Sequence, residues 1–436
     1  MLANPHKVVI LVIFALIVGG YSFMAFNHPI AYIWATYEDL VGEWSQTYFF
    51  LAAAILSVIV ALQKSRYRWF FAVLAIACSY VVLEEISWGQ RILGFDTPEF
   101  LKARNLQGEA NLHNLFTGPH KTLLKDLISA GVAIGLAGFG LVYPLLLRRK
   151  WRIAYWVERL GVAAPPLVLA PYFTLGAFFE LKPLSFNEAE VAELLIASAL
   201  AMFALHQLLI TRLGLATPNT IWGRHDSLIL GRWLIILSSG IVVVAVLTTA
   251  GFYSSPANKA RVDNRIDNGI EKFAGRYERY DRCDIANGLY DMLLHKEPKR
   301  VYILRKKAAC YRELGETGEY EDTVATAIDI DLQKYAEEPW RASINQSLVR
   351  SYRLAGDTER AEAHLAEALD IGISRIMSKP DSGSAAYSYG RTLQLAGRGE
   401  EALEQFARAY EIKPTSSRYR KAYYAARAAI RKSQKE

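Results

Sequence analysis

Long apolar runs in the first 256 residues constrain this chain more than any other feature of its sequence. Each run is about as long as the roughly 20 helical residues that cross the hydrocarbon layer of a membrane. Aromatic residues such as Trp69, Trp151 and Trp233 stand at the ends of the runs, as they do at the headgroup level of a bilayer. We therefore predict a polytopic transmembrane helix bundle of about seven spans. The predicted spans are Val8–Phe26, Ser45–Leu62, Trp69–Ile86, Leu127–Leu147, Val162–Phe179, Val191–Ile210 and Trp233–Phe252.

Residues 257–436 have a different composition, rich in charged residues, Ala, Leu and Tyr, which is typical of soluble helices. Three segments in this half share a pattern at a spacing of roughly 40 residues. In each, an aromatic residue precedes a corner that ends in Gly315, Gly356 or Gly397, and small Ala residues follow. A fourth, degenerate unit covers Tyr277 to Pro298. The sequence thus predicts an all-α chain with a transmembrane domain over 1–256 and a helical-repeat domain over 257–436.

The third repeated segment resembles a tetratricopeptide (TPR) repeat almost position by position. The matching residues are Tyr389, Leu395, Ala396–Gly397, Ala402, Phe406, Ala409 and Pro414. The resemblance implies a TPR-type α-solenoid, in which stacked helix pairs form a concave surface. Domains of this type bind proteins or peptides, so the resemblance implies a protein or peptide partner. Because the spacing exceeds the usual 34 residues of such repeats, we expect longer loops between the repeats.

Charge alternates between the short loops that join the predicted spans. The basic set is Lys64, Arg66 and Arg68, then Arg148, Arg149, Lys150 and Arg152, then Arg212, Arg224 and Arg232. By the positive-inside rule, these loops are cytoplasmic. We predict a multi-pass protein of the cell inner (plasma) membrane, with a cytoplasmic Met1 and an extracytoplasmic repeat domain. Cys283 and Cys310 in that domain either pair in an oxidising compartment or remain two thiols.

Acidic residues gather at the predicted outer side of the bundle. The third span ends with Glu84 and Glu85, and the following loop contains Glu109 and His113, which share one face if that segment is helical. Carboxylates with one imidazole suit zinc, manganese or iron, so Glu109 and His113 are candidate metal ligands. Glu84 and Glu85 are then candidate catalytic residues, as a general base to a metal-bound water.

Two interpretations without metal remain open for this acidic cluster. In the first it is a structural network, in which Glu84 bonds Trp88 or Asn111 and Glu85 pairs with Arg91. In the second it binds a substrate or a lipid headgroup. The sequence from Glu84 to Asn114 resembles that of uncharacterised prokaryotic multi-span membrane proteins, in the string Glu-Glu-Ile-Ser-Trp-Gly-Gln-Arg and the later Asn-Leu-Gln-Gly-Glu-x-Asn-Leu-His-Asn. That resemblance implies a site here and names no reaction.

Two classes of function follow from these features. The first is an integral membrane scaffold or assembly protein whose extracytoplasmic repeats recruit a protein partner. The alternative is a metal-dependent membrane enzyme at the outer leaflet, either a hydrolase or a lipid-linked glycosyl transferase. A transferase would use acidic residues of the first external loop, Glu38 and Asp39, which otherwise only solvate that loop.

The distribution of positive charge bears on whether the chain binds lipid or nucleic acid. The basic C-terminal segment, Ser417 to Lys435, is either a solvated capping helix or a surface that docks on membrane lipid headgroups. The net charge of +7 owes much to the loops of the membrane half, and no nucleic-acid motif is present. We therefore expect no nucleic acid as a partner.

Overall fold

The computed structural model describes residues 4–37, 39–90, 123–212 and 224–433. All regular structure within these ranges is helical, so the prediction of an all-α chain is confirmed for them. The chain divides into two compact units, Met1–Gly269 and Ile270–Glu436. One helix, Pro256–Arg279, contains both this division and the predicted domain boundary after residue 256.

The described part of the first unit consists of ten α-helices and the beginning of an eleventh. They are α1 (Pro5–Asn27), α2 (Pro29–Thr36), α3 (Val41–Leu62), α4 (Arg68–Glu85), α5 (Leu123–Ala137), α6 (Tyr143–Arg148), α7 (Arg152–Arg159), α8 (Ala170–Glu180), α9 (Glu188–Arg212), α10 (Arg224–Ser254) and the start of α11 (Pro256–Arg279). A π-helical turn, Gly138–Val142, joins α5 to α6.

Five helices among the described residues are long and apolar enough to cross a membrane, where the sequence predicted seven. They are Pro5–Asn27, Pro29–Leu62, Asp126–Arg148, Glu188–Arg212 and Asp226–Ser254. Two predicted spans fall short of this measure. Helix α4 has 18 residues and carries three charges, Arg68, Glu84 and Glu85. Helix α8 has 11 residues, because Pro165 and Pro166 lack the N–H groups that would extend it toward its N-terminus.

Helix α9 is the centre of the first unit. Its apolar stretch is 78% buried, against 6% for that of α1. Small residues such as Ala192, Ala197 and Ala201 are fully buried on it and let α3 and α8 pack closely, as small residues do between membrane helices. Gly140 in the π-helical turn has a similar role, since a Cβ atom there would lie 2.1 Å from Cβ of Phe173.

Two long-range hydrogen bonds fix α1 within this bundle. Nδ1 of His6 and Oγ of Ser227 on α10 lie 2.8 Å apart, and both residues are buried. The Tyr172 hydroxyl on α8 donates to the Ile10 carbonyl at 2.7 Å. Because a polar group without a partner is costly in apolar surroundings, each bond favours one position of α1 against its neighbours.

The second unit continues α11 and adds eight helices that pack in sequence order. They are α12 (Cys283–Lys296), α13 (Val301–Leu314), α14 (Thr317–Glu337), α15 (Ala342–Ala355), α16 (Thr358–Ser378), α17 (Gly383–Leu395), α18 (Gly399–Ile412) and α19 (Ser417–Ser433). Each of these eight contacts the next, and the first helices of successive pairs, α13, α15 and α17, also contact one another in turn. This arrangement is an α-solenoid, as predicted.

The corner inside each helix pair is closed by a glycine in the left-handed conformation. Gly315, Gly356 and Gly397 have φ of 78°, 79° and 75° and lie 41 residues apart. At the second corner, the N–H of Asp357 donates to the Tyr352 carbonyl at 2.9 Å, and equivalent bonds close the other two. This is a Schellman motif, which places glycine where other residues would be strained.

The long repeat spacing comes from the second helices of the first two pairs, so the prediction of longer loops is wrong. Helices α14 and α16 have 21 residues each, whereas α18 has 14. The added turns are amphipathic: Ile328, Leu332 and Tyr335 pack against buried residues of α15, including Leu348. An apolar stripe at helical spacing favours a longer helix over a loop.

A disulfide joins α12 to α13. It links Cys283 and Cys310, whose Cα atoms are 5.1 Å apart, and thus selects one of the two alternatives left open by the sequence. Helix α12 lies within the predicted degenerate repeat, and the disulfide attaches it covalently to the first full helix pair. Cys78, in the first unit, is a buried free cysteine.

We predict that Gly356→Ala destabilises the second unit by about 1 kcal/mol, because an alanine at positive φ is strained. The measurement is urea denaturation of the full-length protein in detergent micelles, followed by circular dichroism. The matched control is Gly318→Ala, at a helical position where a Cβ meets no atom within 4 Å, which should be neutral or slightly stabilising. Equal denaturation midpoints for the two variants would contradict the prediction.

Candidate functional site

Two regions concentrate polar side chains, one in each unit. The first is the end of the membrane unit where α3 begins, α4 ends and α9 begins, which we call the polar end. It contains Glu84 and Glu85, the two predicted catalytic residues that the structure describes. Glu109 and His113, the predicted metal ligands, lie outside the described residues. The metal site and the enzyme that depends on it therefore remain predictions.

Glu84 is buried, with 7% of its surface exposed, and Nε1 of Trp88 donates to its Oε1 at 2.7 Å. The chain turns sharply to make this bond, since Ser87, Trp88 and Gly89 all have positive φ. The geometry matches the structural interpretation in which Glu84 bonds Trp88. Glu85 is half-buried at the last position of α4.

Glu193, on α9, is a carboxylate of the polar end that interacts with several other acidic residues. It accepts a hydrogen bond of 3.0 Å from Nε2 of Gln46, which is itself buried on α3. The charges of Glu85, Glu180 and Glu190 all act on it. Acidic residues of α4, α8 and α9 thus lie near enough to Glu193 for their charges to act on it.

Glu188, at the start of α9, has a purely local role. Its carboxylate accepts hydrogen bonds from the backbone N–H groups of Leu184, Ser185 and Phe186, at 2.6, 2.8 and 2.5 Å. A carboxylate at a helix N-terminus also interacts favourably with the helix dipole. Glu188 therefore orders the loop between α8 and α9.

Asp39 is not solvated, contrary to the sequence-based interpretation. Only 1% of its side chain is exposed, and Nη1 of Arg265 on α11 lies 2.6 Å from its Oδ2. Nearby, Gly269 lets α11 approach Tyr37, because a Cβ at this position would lie 2.8 Å from the tyrosine ring. The ion pair thus holds the start of α11 on the turn between α2 and α3. Glu38, the other acidic residue proposed for a transferase, lies outside the described residues.

Within the described ranges, one group of three side chains is close enough to share a metal ion: Cys283, Cys310 and Glu313. Two of its members form the disulfide, so their sulfur atoms are not thiolates. The group therefore offers no metal site in this form.

The second polar region is a groove of about 810 Å³ in the repeat unit, which we call the basic groove. Seven of the 16 residues that line it are cationic, and none of the 16 is acidic. The cations are Arg305, Lys306, Arg341, Arg350, Arg375, Arg391 and Arg418. The others are Tyr302, Tyr387 and Tyr419, Ser343, Ser347, Ser384 and Ser388, Gln346 and Leu354.

The repeat register explains why these side chains meet. The lining positions on the first helices recur at an interval of 41 residues, the same interval that separates the corner glycines. Within each helix they fall at i, i+3, i+4 and i+7, which is one face. The aligned sets are Tyr302, Arg305 and Lys306 on α13, Ser343, Gln346, Ser347 and Arg350 on α15, and Ser384, Tyr387, Ser388 and Arg391 on α17.

Three of the groove cations have carboxylate partners. Arg305 lies 3.5 Å from the buried Asp331, Lys306 lies 2.8 Å from Glu278, and Arg341 lies 2.5 Å from Glu338. These pairs reduce the charge at one end of the groove and along its rim.

Four groove cations form no ion pair with any described residue: Arg350, Arg375, Arg391 and Arg418. Arg350 donates to the Gln346 carbonyl at 3.1 Å, and Arg391 donates to the Tyr387 hydroxyl at 3.3 Å. The Arg418 guanidinium lies over the Tyr387 ring, 4.2 Å from its centre. The central part of the groove thus carries an excess of positive charge.

Two groups in the groove have shifted pKa values, to which the neighbouring cations contribute. Burial, followed by the charges of Arg391 and Arg305, lowers the pKa of Arg350 to about 10. Burial alone raises the pKa of Tyr387, but hydrogen bonds from Arg418 and Arg391 oppose it, and the net pKa is lowered. Both shifts favour the less positive or more negative form of a group, which is what an anion in the groove would counter. Arg350 stays charged at neutral pH.

The repeat pattern predicts a concave binding surface, but it does not indicate that this surface is basic. The sequence does contain a signal for the groove: polar and basic residues recur every 41 positions, the same interval as the corner glycines. The repeat comparison follows small buried residues such as Ala361 and Ala402, which pack the helices. Ala361 and Ala402 lie on second helices, whereas most groove residues lie on first helices, at positions whose residue type varies from repeat to repeat.

No protein-family model and no curated protein sequence matches this chain. Among solved structures it is similar to a thermophilic TPR protein of Thermus thermophilus, with 19% identity and a TM-score of 0.23, over 38% of this chain and 82% of that chain. It is also similar to the MamA RS-1 ArsTM double mutant, with 12% identity and a TM-score of 0.18, over 38% of this chain and 84% of that one. Structural similarity this low carries no information about what the present chain binds.

We predict that Arg265→Met destabilises the first unit by roughly 2–4 kcal/mol, because it leaves the buried Asp39 carboxylate without its counter-ion. The measurement is the thermal unfolding midpoint of the full-length protein in detergent. The double variant Asp39→Asn, Arg265→Met should recover most of the loss. The control is Arg261→Met on the exposed side of α11, for which we expect less than about 0.5 kcal/mol. Equal effects of the two single variants would contradict a role for the ion pair.

Proposed function

We propose that this chain is an integral membrane scaffold whose helical-repeat unit recruits a protein partner through the basic groove. The observation that carries the proposal is the groove itself. It lies along successive first helices of the solenoid, which is where repeat proteins of this architecture bind extended partners. Its lining offers charge and hydrogen-bonding groups, and it lacks a paired nucleophile and base.

The membrane unit serves as the anchor in this proposal. The described part of the unit contains five long apolar helices. It also has large apolar side chains that are exposed on its surface. Leu16, Ile134 and Leu247 are 68%, 74% and 66% exposed. Exposed apolar surface of this extent suits contact with lipid.

We further propose that the repeat unit lies outside the cytoplasm, in the inner (plasma) membrane of its cell. In the seven-span arrangement predicted from the sequence, an odd number of crossings places the two ends of the membrane unit on opposite faces of the bilayer. The basic loops, such as that around Arg149, favour the cytoplasm. The disulfide between Cys283 and Cys310 gives independent support, because disulfides persist in oxidising compartments and are rare in the cytosol.

Sidedness is tested with single engineered cysteines and a membrane-impermeant maleimide applied to spheroplasts of a bacterial expression host. Thr326→Cys, on the exposed surface of α14, should be labelled without permeabilisation. Arg149→Cys, in the exposed turn after α6, should be labelled only after lysis. The buried Cys78 and the disulfide keep the background low. The reverse pattern of labelling would refute the proposed orientation.

Recruitment is tested by filling the groove. Ser384→Trp adds a bulky neutral side chain at an exposed groove position, so proteins that enter the groove should no longer co-purify with the full-length chain. Ala325→Trp, on the exposed face of α14 and outside the groove, is the control and should retain them. The readout is quantitative mass spectrometry of crosslinked, affinity-purified membranes. If both variants retain the same proteins as the wild type, the groove does not recruit the partner.

A further inference from the structure

The centre of the basic groove combines charge with partial burial. Arg350 and Arg391 are half-buried on neighbouring first helices, at equivalent positions 41 residues apart. Neither has a carboxylate partner among the described residues. Partial burial removes water that would screen their charges, so a carboxylate placed here interacts more strongly than at an open surface.

The distance between helices sets the spacing of the charges that a ligand would need. Helices α15 and α17 are in direct contact, and packed helices lie about 8–10 Å apart. A peptide in the polyproline II conformation has three residues per turn and advances about 3.1 Å per residue, so side chains three apart lie on one face, about 9 Å apart. Carboxylates at i and i+3 of a peptide in this extended conformation therefore match the spacing of the helices that carry Arg350 and Arg391.

The remaining groove residues suit a peptide backbone. Ser343 and Ser384 are exposed at equivalent positions of α15 and α17, and their hydroxyls both donate and accept hydrogen bonds. The amide of Gln346 already donates to the Ser388 carbonyl at 3.0 Å and to Thr392 Oγ1 at 2.8 Å. No described residue donates a hydrogen bond to the side-chain oxygen of Gln346. An amide oxygen can accept a hydrogen bond from a peptide N–H group.

Other anionic ligands fit the groove less well. A lipid surface is bound by basic side chains on an exposed helix face, whereas Arg350 and Arg391 lie inside a groove between helices. Single-stranded nucleic acid needs open aromatic faces for base stacking. Tyr302 is 52% exposed at one end of the groove, but the ring of Tyr387, beside the two unpaired arginines, is covered by the Arg418 guanidinium, so the described lining of the groove offers no row of open rings along its centre.

From these observations we infer that the basic groove binds an extended acidic segment of a partner protein, with carboxylates at every third residue. Arg350 and Arg391 contact two successive carboxylates, and the serine and glutamine side chains contact the peptide backbone. This inference rests on the proposed function and specifies the chemistry of the partner.

The test uses a fluorescein-labelled decapeptide with Glu at every third position in a Gly/Ser background, and the full-length protein in detergent micelles. Fluorescence anisotropy should show binding that is at least about tenfold tighter than for the peptide with Gln at the same positions, because charge-assisted hydrogen bonds are lost. Binding should weaken as NaCl rises. A peptide with the same number of Glu residues in one block should bind more weakly than the spaced peptide.

Variants assign the binding to the two arginines. Arg350→Gln with Arg391→Gln should weaken binding roughly 30-fold or more, whereas the Lys versions of both should retain most of the salt dependence. The matched control is Arg360→Gln, an exposed arginine outside the groove that pairs with Asp357, which should change binding less than about twofold. Circular dichroism checks that each variant is folded.

Several outcomes would overturn the inference. These are equal binding of the Glu and Gln peptides, unchanged binding by the folded double Gln variant, or groove-dependent binding to phosphatidylglycerol vesicles in place of the peptide. Concentration-dependent self-association that is lost in the double Gln variant would also overturn it, because the occupant would be a second copy of this chain. If Ser384→Trp releases co-purifying proteins but the acidic peptide does not bind, the scaffold proposal stands and only the acidic-segment inference fails.

Discussion

The register of the repeat unit is the constraint on which its surface depends. Gly315, Gly356 and Gly397 close three corners in the same left-handed conformation, and they lie 41 residues apart. Each corner sets the direction in which the next helix leaves, so equivalent positions on α13, α15 and α17 return to the same side. A change in the corner geometry would rotate the following helix and move its lining residues away from the groove. The basic groove is thus a consequence of backbone conformation at three glycines.

The groove places like charges near one another, which costs stability, and the structure offsets this only in part. Asp331, Glu278 and Glu338 neutralise Arg305, Lys306 and Arg341. No described carboxylate does the same for Arg350 or Arg391. A protein under selection for stability alone would pair these charges or replace them, since uncompensated charge is a common cost of binding sites. The imbalance is therefore an argument for an anionic ligand that lies outside this chain.

The sequence revealed those features that depend on local pattern. Apolar runs at helical length identified the membrane unit, and the glycine corners identified the repeats. The count of spans differed because run length ignores where helices begin: Pro165 and Pro166 shorten α8, and Glu84 and Glu85 add charge to the end of α4. The loops expected between repeats proved to be extra helical turns.

Contacts between residues that are far apart in the sequence could not be predicted from local patterns. Asp39 looked like a loop residue because its counter-ion, Arg265, follows 226 positions later. The hydrogen bond between His6 and Ser227 has the same character, since neither residue carries a local signal. The groove cations were missed for another reason: the repeat pattern is defined by buried packing residues, and the groove cations lie at positions that this pattern does not include. Periodicity shows where such a face is, and only the assembled helices show its charge.

The polar end and the basic groove differ in whether their charged groups have partners within the described part of the chain. At the polar end of the membrane unit, Glu84 accepts from Trp88, Glu193 accepts from Gln46, and Asp39 pairs with Arg265. Each of these carboxylates has a partner within the unit, and the bonds link α3 to α9 and α2–α3 to α11. Such bonds hold helices in register, because breaking one leaves a costly buried group. In the basic groove the opposite holds, since Arg350 and Arg391 bond, among the described residues, only to neutral oxygens of their own helices. An acidic group of another molecule would complete them, and this is why we propose the groove as the recruiting surface of this chain.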